Sequence, residues 1–187
     1  MLIIGITGTL GAGKGTIVDY LVKEKGFCHF SVREFLKEKL VEAGLAVNRD
    51  SLTSIANTLR SENSPSYVTD QLYLKAMKTG INCVIESIRT PGEIDSLKKT
   101  GDFILFAVDA DPLIRYERIV KRASETDSIS FETFTANEAR EMQSDNPNHQ
   151  NLSACIQKAD YLFTNNNGIE QLYVSVESTL NKLICSN

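Results

Sequence analysis

The stretch from Leu2 to Thr16 limits what this chain of 187 residues can fold into more than any other part of the sequence. It reads LIIGITGTLGAGKGT, an apolar run followed by glycines, a lysine and a hydroxyl residue. The amphipathic segment KGTIVDYLVKEKG completes it. A buried strand, a flexible turn and a helix in this order form the first half of a βαβ unit, which predicts a parallel sheet.

The glycines between this strand and helix predict a phosphate-binding loop. Because glycine lacks a Cβ atom, backbone N–H groups can turn inward and surround phosphate oxygens, and the helix N-terminus adds its positive dipole end. Lys14 would supply a cation to the β and γ phosphates of ATP, and Thr16 a hydroxyl group to the shell of Mg²⁺. The predicted ATP-binding residues of the loop are Gly8, Gly11, Ala12, Gly13, Lys14, Gly15 and Thr16.

One position of the loop departs from the usual pattern, G-x-x-x-x-G-K-[ST]. Gly8, Gly13 and Lys14 satisfy it, but Gly15 stands where Ser or Thr is expected, and the hydroxyl group follows at Thr16. This variant, GAGKGT, resembles the loop of nucleoside monophosphate kinases such as adenylate kinase, in which Gly-Lys-Gly-Thr is usual. The resemblance implies a P-loop NTPase fold, ATP and Mg²⁺ as cofactors, and a small nucleotide as phosphoryl acceptor.

Apolar runs alternate with amphipathic segments along the rest of the chain, as in successive βαβ units. Their continuous apolar character indicates strands that are covered on both faces. We therefore expect an α/β fold with a five-stranded parallel sheet and helices on both faces, in one domain over residues 1–187. The predicted strands are LIIGIT, CHFS, CVIES, FILFAVDA and DYLFTN, which begin at Leu2, Cys28, Cys83, Phe103 and Asp160.

The helices are predicted from amphipathic periodicity and from start and stop signals. They cover residues 14–26, 33–44 and 169–183, a pair over 50–78 that is broken near Pro65, and a helix with Asp111 as N-cap and Pro112 in its first turn. Pro65 is expected in the first turn of the second helix of the pair. Two polar segments are expected to close over a ligand. They are residues 45–73, an acceptor-binding insertion, and residues 123–150, a lid.

The segment after the second strand, SVREFLK, resembles the Ser/Thr-x-Gly-Asp-x-Leu-Arg stretch that helps to seat the acceptor in adenylate kinase-like enzymes. Lys37 stands in place of the family arginine, and Arg33 in place of its glycine. Because a lysine is a poorer bidentate clamp than an arginine, Arg33 is expected to take over that role. The acceptor-binding residues that the resemblance implies here are Ser31, Arg33, Glu34 and Lys37.

The third strand is followed by ESIRTPGEID, where monophosphate kinases carry Asp-Gly-x-Pro-Arg-Thr. Glu86 matches the acidic residue at the strand end, which can hold Mg²⁺ through water together with Thr16. Arg89 matches the arginine that grips the acceptor phosphate, and a guanidinium fork suits a phosphate dianion. The family proline before the arginine is absent, and Pro91 follows Thr90 instead.

Further arginines extend the resemblance. The segment RYERIVKR resembles the helix before the lid, whose arginines meet ATP, and Arg118 and Arg122 lie four residues apart on one helix face. Arg118 is implied to bind ATP. Arg122, with Arg140 in the segment FTANEAREM, is implied to stabilise the moving phosphoryl group. Arg49 and Arg60 are candidates to meet the acceptor. The implied catalytic residues are Lys14, Arg89, Arg122 and Arg140.

Near the C-terminus, ADYLFTNNNG resembles the Ala-Asp-x-x-Ile-x-Asn segment of dephospho-CoA kinases, in which the following loop lies against adenine. Asn165 matches the family asparagine and is implied to contact ATP. The resemblance touches five separate places over nearly the whole chain. Together they look most like a branch of the monophosphate kinase group with a P-loop kinase core and an unusual acceptor lobe.

The composition limits the partners that we expect. The formal net charge of −4 argues against a nucleic-acid partner, since proteins that bind nucleic acid usually present a basic face. The four cysteines form no CxxC pair, and the two histidines have no metal-ligand spacing. The apolar N-terminus has no basic region and is interrupted by Gly5, so neither a signal peptide nor a membrane partner is expected, and the expected location is the cytoplasm. The oligomeric state stays open.

Three functions remain after these considerations. The first is ATP-dependent phosphoryl transfer to a nucleoside or deoxynucleoside monophosphate. The second, a dephospho-CoA kinase, is supported by the C-terminal segment and opposed by GKGT and ESIRT. Its hydroxyl acceptor would require a carboxylate base, either Glu34 or Glu86. The third is an ATP-binding regulatory module without kinase activity, which would have no need of acceptor-side arginines.

Overall fold

The structure is a computed structural model that describes residues 1–122 and 130–185. Residues 123–129, the start of the predicted lid, lie outside the described residues. Within the described part of the chain, no helix is both long enough and apolar enough to cross a membrane.

Five parallel strands form the central sheet, in the spatial order β2-β3-β1-β4-β5. The chain turns to one side of β1 for β2 and β3, and to the other side for β4 and β5. The carboxyl end of β1 therefore lies at a topological switch point, where open α/β sheets bind their ligands. The strands are β1 (Ile3–Gly8), β2 (Cys28–Ser31), β3 (Cys83–Glu86), β4 (Phe103–Asp109) and β5 (Tyr161–Thr164).

Helices cover both faces of this sheet, which confirms the predicted P-loop NTPase architecture. Ile3 and Ile85 share one apolar cluster with Leu72 and Leu97, whereas Ile4 lies in a second cluster on the opposite face. Alternate residues of β1 thus feed the two cores, as the period of two along a strand requires. The helices are α1 (Lys14–Lys25), α2 (Val32–Glu42), α3 (Arg49–Glu62), α4 (Tyr67–Met77), α5 (Pro91–Lys98), α6 (Pro112–Arg122), α7 (Phe131–Met142), α8 (Leu152–Gln157) and α9 (Ile169–Cys185).

Most helix ends follow the predicted signals. Gly26 ends α1 in the left-handed conformation, with φ of 69°, and α6 begins at Pro112. The expectation for Pro65 is wrong, because α4 begins at Tyr67 with Ser66 as its N-cap and the proline lies before the cap. Three helices, α5, α7 and α8, were not expected at all. The first of them carries a signal that would have revealed it, the capping box T-x-x-E of Thr90-Pro91-Gly92-Glu93.

A buried ion pair ties α3 to the start of α5. Arg60 and Glu93 are 2% and 0% exposed, and Arg60 Nε and Nη2 donate to Glu93 Oε1 at 3.2 and 2.8 Å. The other carboxylate oxygen of Glu93 accepts the backbone N–H groups of Arg89 and Thr90 at 2.8 and 3.0 Å. One carboxylate therefore joins two helices and fixes the backbone of Arg89, a predicted site residue.

Replacing Glu93 is expected to cost the fold more than any replacement of an exposed neighbour. Glu93→Ala leaves Arg60 buried without its counter-ion and should lower the free energy of unfolding by about 3–5 kcal/mol. Asp95→Ala on the same helix removes an exposed ion pair with Lys158 and should cost no more than about 1 kcal/mol. Urea unfolding of both variants measures the difference, and equal losses would contradict this account of the pair.

Candidate active site

The loop between β1 and α1 is held by close contacts at two glycines. Gly13 has φ of +111°, and a Cβ atom there would lie 2.4 Å from Asn165 Nδ2. Gly11 has φ of +78°, and a Cβ atom there would lie 2.5 Å from the carbonyl oxygen of Arg115. Any side chain at either position would meet both backbone strain and a steric clash. The loop is thus packed between the end of β5 and the start of α6.

Polar groups fasten the carbonyl side of the same loop. Asn165 Nδ2 donates to the carbonyl oxygen of Ala12 at 2.8 Å. Arg115, which is buried, donates to the carbonyl oxygens of Ala110 and Leu10 at 2.7 and 3.3 Å and pairs with Glu138 at 2.5 Å. The carbonyl oxygens of Leu10 and Ala12 thus have partners from outside the loop, which hold the loop in place.

Lys14 lies folded back onto its own loop. Its Nζ donates to the carbonyl oxygens of Gly8 and Thr9 at 2.7 and 2.8 Å. Burial, aided by the positive charge of Arg89, lowers the pKa of Lys14 to about 7, although Glu86 and Glu141 oppose this shift. The amine therefore takes up or releases a proton near neutral pH, and a phosphate group beside it would favour the charged form.

One cavity of about 740 Å³ extends from this loop to α2 and α3. Its near end is the phosphate loop and its far end is a wall of Val32, Leu36, Leu52 and Ala56. The cavity brings together most of the side chains that were predicted from separate segments. The predicted site residues that line it are Gly11, Gly13, Lys14, Gly15, Thr16, Arg33, Arg60, Glu86, Arg89, Arg118, Arg122 and Asn165.

The end of β3 contributes a carboxylate close to the loop. Glu86 Oε2 shares a hydrogen bond of 3.0 Å with His29 Nε2. Burial alone would raise the pKa of Glu86, but this hydrogen bond and the charges of Lys14 and Arg89 outweigh it and hold the pKa below its ordinary value. Ser87, which follows, has φ of 73°, at the position that glycine occupies in the Asp-Gly-x-Pro-Arg-Thr motif.

An ionised oxygen ligand at this place fits Mg²⁺. Magnesium prefers hard oxygen ligands, keeps several waters and usually takes only one or two protein ligands beside the substrate phosphates. Glu86 offers a carboxylate and Thr16 a hydroxyl group, and both line the same cavity. The residues present therefore suit the metal that the fold implies.

Arg89 is surrounded by acceptors that the sequence did not reveal. Its Nη1 donates to Glu141 Oε2 at 2.6 Å and to Gln150 Oε1 at 2.9 Å. Arg49 Nη2 donates to the other carboxylate oxygen of Glu141. Burial would raise the pKa of Glu141, but the charges of Arg89 and Arg49 outweigh it and lower the pKa. No local pattern marks Glu141 or Gln150, because their partners lie far away in sequence.

Arg118 contributes a donor at the loop end of the cavity. Its Nη2 lies 3.5 Å from Asn165 Oδ1. Its Nη1 is buried and has no hydrogen-bond partner among the described residues. A buried guanidinium nitrogen without a partner is costly, which suits a side chain that receives an anionic or carbonyl acceptor from a ligand.

Arg140 does not line the cavity, although it was predicted to reach the phosphoryl group. Its side chain is about half exposed on α7, and its Nη1 pairs with Asp50 at 3.3 Å. The neighbouring residue, Glu141, points inward instead. Successive helical residues project about 100° apart, so one of two neighbours can face the cavity while the other faces solvent.

The same phase difference applies to α2. Arg33 and Leu36 line the cavity, whereas Glu34 and Lys37 form an exposed pair at 3.7 Å away from it. Ser31 is the N-cap of this helix and accepts the backbone N–H of Glu34 at 3.3 Å. The acceptor roles expected for these three residues therefore lack support in the geometry.

Three other predicted residues have partners of their own. Arg60 lines the cavity, but its guanidinium is committed to Glu93, so it supports the wall rather than offering free donors. Gly8 and Ala12 are buried residues of the loop itself. The carbonyl oxygen of Gly8 accepts from Lys14, and that of Ala12 accepts from Asn165.

Comparison with known proteins identifies the family. The family model described as AAA domain matches residues 4–144, so the chain belongs to this family. A UPF0200 protein of Methanococcus vannielii is 28% identical over 187 residues, which cover 98% of this chain and 97% of that protein. The relative matches nearly the whole chain and the family model most of it, so the likeness is not confined to the loop.

Solved structures agree on the fold. TT1252 from Thermus thermophilus superimposes with a TM-score of 0.61 at 20% identity, over 97% of each chain. Shikimate kinase from Acinetobacter baumannii, solved in complex with shikimate, superimposes with a TM-score of 0.56 at 14% identity, over 100% of this chain and 95% of the kinase. The chain therefore has the P-loop fold that small-molecule kinases share.

Nucleotide binding is expected to take up a proton at Lys14. With a pKa of about 7, the free amine is mostly neutral at pH 8, and bound phosphates restore its charge, so binding should consume roughly 0.9 proton at pH 8 and about 0.1 at pH 6. Affinity for Mg-ATP should consequently fall as pH rises above 7. Titration calorimetry in buffers of different ionisation enthalpy measures the uptake. Lys14→Arg, which stays charged, is the control, and equal uptake in both proteins would contradict the assignment.

Proposed function

We propose that this protein transfers the γ-phosphoryl group of ATP to a nucleoside or deoxynucleoside monophosphate. The observation that carries the proposal is the single cavity that joins a phosphate loop to Arg33 and Arg89 in front of an apolar wall. A loop of this kind suits a nucleoside triphosphate, an arginine pair suits a second phosphate, and an apolar wall suits a flat base.

The donor side is formed by the phosphate loop and by side chains that lie around it. The loop N–H groups and the N-terminus of α1 bind the β and γ phosphates of ATP, with Lys14 as their mobile cation. Thr16 and Glu86 would hold Mg²⁺, partly through water, and the ion neutralises charge on the phosphate oxygens. Arg118 and Asn165, which lie together at the loop end of the cavity, take the nucleoside side of the donor.

On the acceptor side, the protein has to align the acceptor phosphate with ATP and does not have to supply a general base. Arg89 and Arg33 hold the acceptor phosphate so that one of its oxygens faces the γ-phosphorus of ATP. That oxygen forms the new P–O bond while the bond to the β-phosphate oxygen breaks and ADP departs. A phosphate oxygen is already ionised and requires no general base. Arg122, on the wall of the same cavity, stabilises the charge of the moving group.

A hydroxyl acceptor, as in dephospho-CoA kinase, is the second candidate. It is favoured by the C-terminal resemblance, in which Asn165 matches the family asparagine, and Asn165 lies against the phosphate loop. The reaction would need a carboxylate base, and of the two residues considered only Glu86 lines the cavity. The lowered pKa of Glu86 makes it a weak base, so the monophosphate acceptor is preferred.

The direct test is ADP release from Mg-ATP with each common ribo- and deoxyribonucleoside monophosphate and with dephospho-CoA. A strong rate with one monophosphate supports the proposal and names the acceptor. A rate with dephospho-CoA alone supports the second candidate. Confirmed ATP binding with no turnover across the panel would refute both and indicate a regulatory module.

Arg89→Ala is expected to weaken the acceptor side alone. A charge-assisted hydrogen bond contributes about 1.5–3 kcal/mol, so the acceptor KM should rise roughly tenfold to a hundredfold and kcat should fall. The KM for ATP should change by less than about threefold. Lys39→Ala, an exposed cation on α2 that pairs with Glu42, is the matched control and should leave both KM values unchanged. A collapse of ATP affinity with a normal acceptor KM would mean that the two sides are reversed.

A further inference from the structure

The carboxylate of Glu141 lies between two arginines that come from distant parts of the chain. Arg49 opens α3, Arg89 follows β3, and Glu141 is near the end of α7. One carboxylate oxygen accepts from Arg49 Nη2 and the other from Arg89 Nη1 at 2.6 Å. The carboxylate is 6% exposed, whereas the two arginine side chains are 24% and 21% exposed and line the cavity. Two accessible cations thus share one buried anion.

The arginines have more donors than this carboxylate uses. Arg49 Nε is buried and meets no acceptor within the described part of the chain. Arg89 also donates to the neutral oxygen of Gln150 at 2.9 Å. A phosphate dianion offers three oxygens and twice the charge of a carboxylate, so it could satisfy this pair of guanidinium groups more completely.

We infer that Arg49 and Arg89 form a fork for the acceptor's phosphate group, and that Glu141 is a displaceable counter-ion that occupies the fork until the acceptor binds. The inference deepens the proposed function, because it assigns the acceptor end of the same site to Arg49 and Glu141. It concerns the recognition of a phosphate monoester, whichever nucleoside that monoester carries.

Displacement follows from charge. A carboxylate and a phosphate dianion cannot occupy one pair of guanidinium groups without strong repulsion at short range. Protonation of Glu141 does not relieve this repulsion near neutral pH, since the two arginines hold its pKa below the ordinary range. The acceptor therefore has to push the carboxylate out of the fork, and its affinity is lower than an unoccupied fork would give.

Displacement also loosens α7 from α3. The two helices are joined by crossed pairs, Arg49 with Glu141 and Asp50 with Arg140. The second pair is exposed and contributes little, about 0–1 kcal/mol. Once Glu141 leaves the fork, α7 keeps the pair of Glu138 with Arg115 and the packing of buried Phe134 against Tyr116. Acceptor binding is thereby coupled to the contact between α7 and α3.

Two other roles for Glu141 fit less well. As a general base it would be weak, because its pKa is lowered and both oxygens already accept charged hydrogen bonds. As a purely structural bridge it would hold two arginines that need no exposure to the cavity. Neither role requires the carboxylate to give up its place to a phosphate group.

The test is titration calorimetry of inorganic phosphate into the full chain, with the non-hydrolysable analogue AMP-PNP and Mg²⁺ at fixed saturating concentration to fill the donor site. Glu141→Gln removes the competing charge and should tighten phosphate binding about tenfold. Arg49→Ala should weaken it about tenfold. In the double variant, the gain from Glu141→Gln should shrink, because the fork it frees is incomplete.

Asp50→Asn is the matched control. It removes the neighbouring exposed pair between the same two helices and should change phosphate affinity by less than about twofold. Glu141→Ala serves as a second variant, and thermal unfolding checks that each protein is folded. If Glu141→Gln destabilises the chain, the Arg49→Ala result decides, since Arg49 opens a helix and is partly exposed.

Unchanged or weaker phosphate binding in both Glu141 variants would overturn the counter-ion, and unchanged binding in Arg49→Ala would overturn the fork. Because the probe is inorganic phosphate, these results do not depend on turnover. A silent acceptor panel with a functioning fork would therefore reject the nucleotide kinase proposal alone, and turnover without the predicted phosphate effects would reject this inference alone.

Discussion

The hydrogen bond from Asn165 to the carbonyl oxygen of Ala12 is the contact on which the rest of the site depends. Together with Arg115, which holds the carbonyl of Leu10, it fixes a glycine-rich loop from outside. The loop amides are consequently arranged before any ligand arrives, so little ordering entropy is lost on binding. Such preorganisation explains why a residue at the end of the last strand belongs to a site that starts at the first.

Balance of charge governs the other side of the cavity. Without a ligand, Arg49 and Arg89 share the single negative charge of Glu141, and burial reduces the charge of Lys14 by lowering its pKa. Glu86 stays ionised against the same cations. The cavity nevertheless keeps a surplus of positive charge, because among the described residues it is lined by six arginines and two lysines but by two carboxylates, those of Glu86 and Glu141. In the proposed function, phosphates would replace the internal partners of these cations.

The sequence predicted what is encoded locally and missed what depends on distant partners. The sheet, the loop, the end of α1 and the start of α6 follow from runs, glycines and caps, and the structure confirms them. The role of Arg140 stays a prediction, whereas the inward position of Glu141 was missed because helix phase is set by packing, which a single segment does not show. The commitment of Arg60 to Glu93 was invisible for the same reason, since 33 residues separate them. Site roles within the cavity remain predictions that the proposed experiments test.

The anchoring of α3 has a mechanical consequence. Arg60 near its end is locked to Glu93 in the core, while Arg49 at its start meets Glu141 in the cavity. The two arginines are about 16 Å apart along the axis and lie on nearly the same face. The buried ion pair therefore anchors the C-terminal part of α3. A tilt of the helix about this pair would move Arg49 more than the residues nearer to Arg60, whereas the backbone N–H of Arg89, which also donates to Glu93, would stay in place.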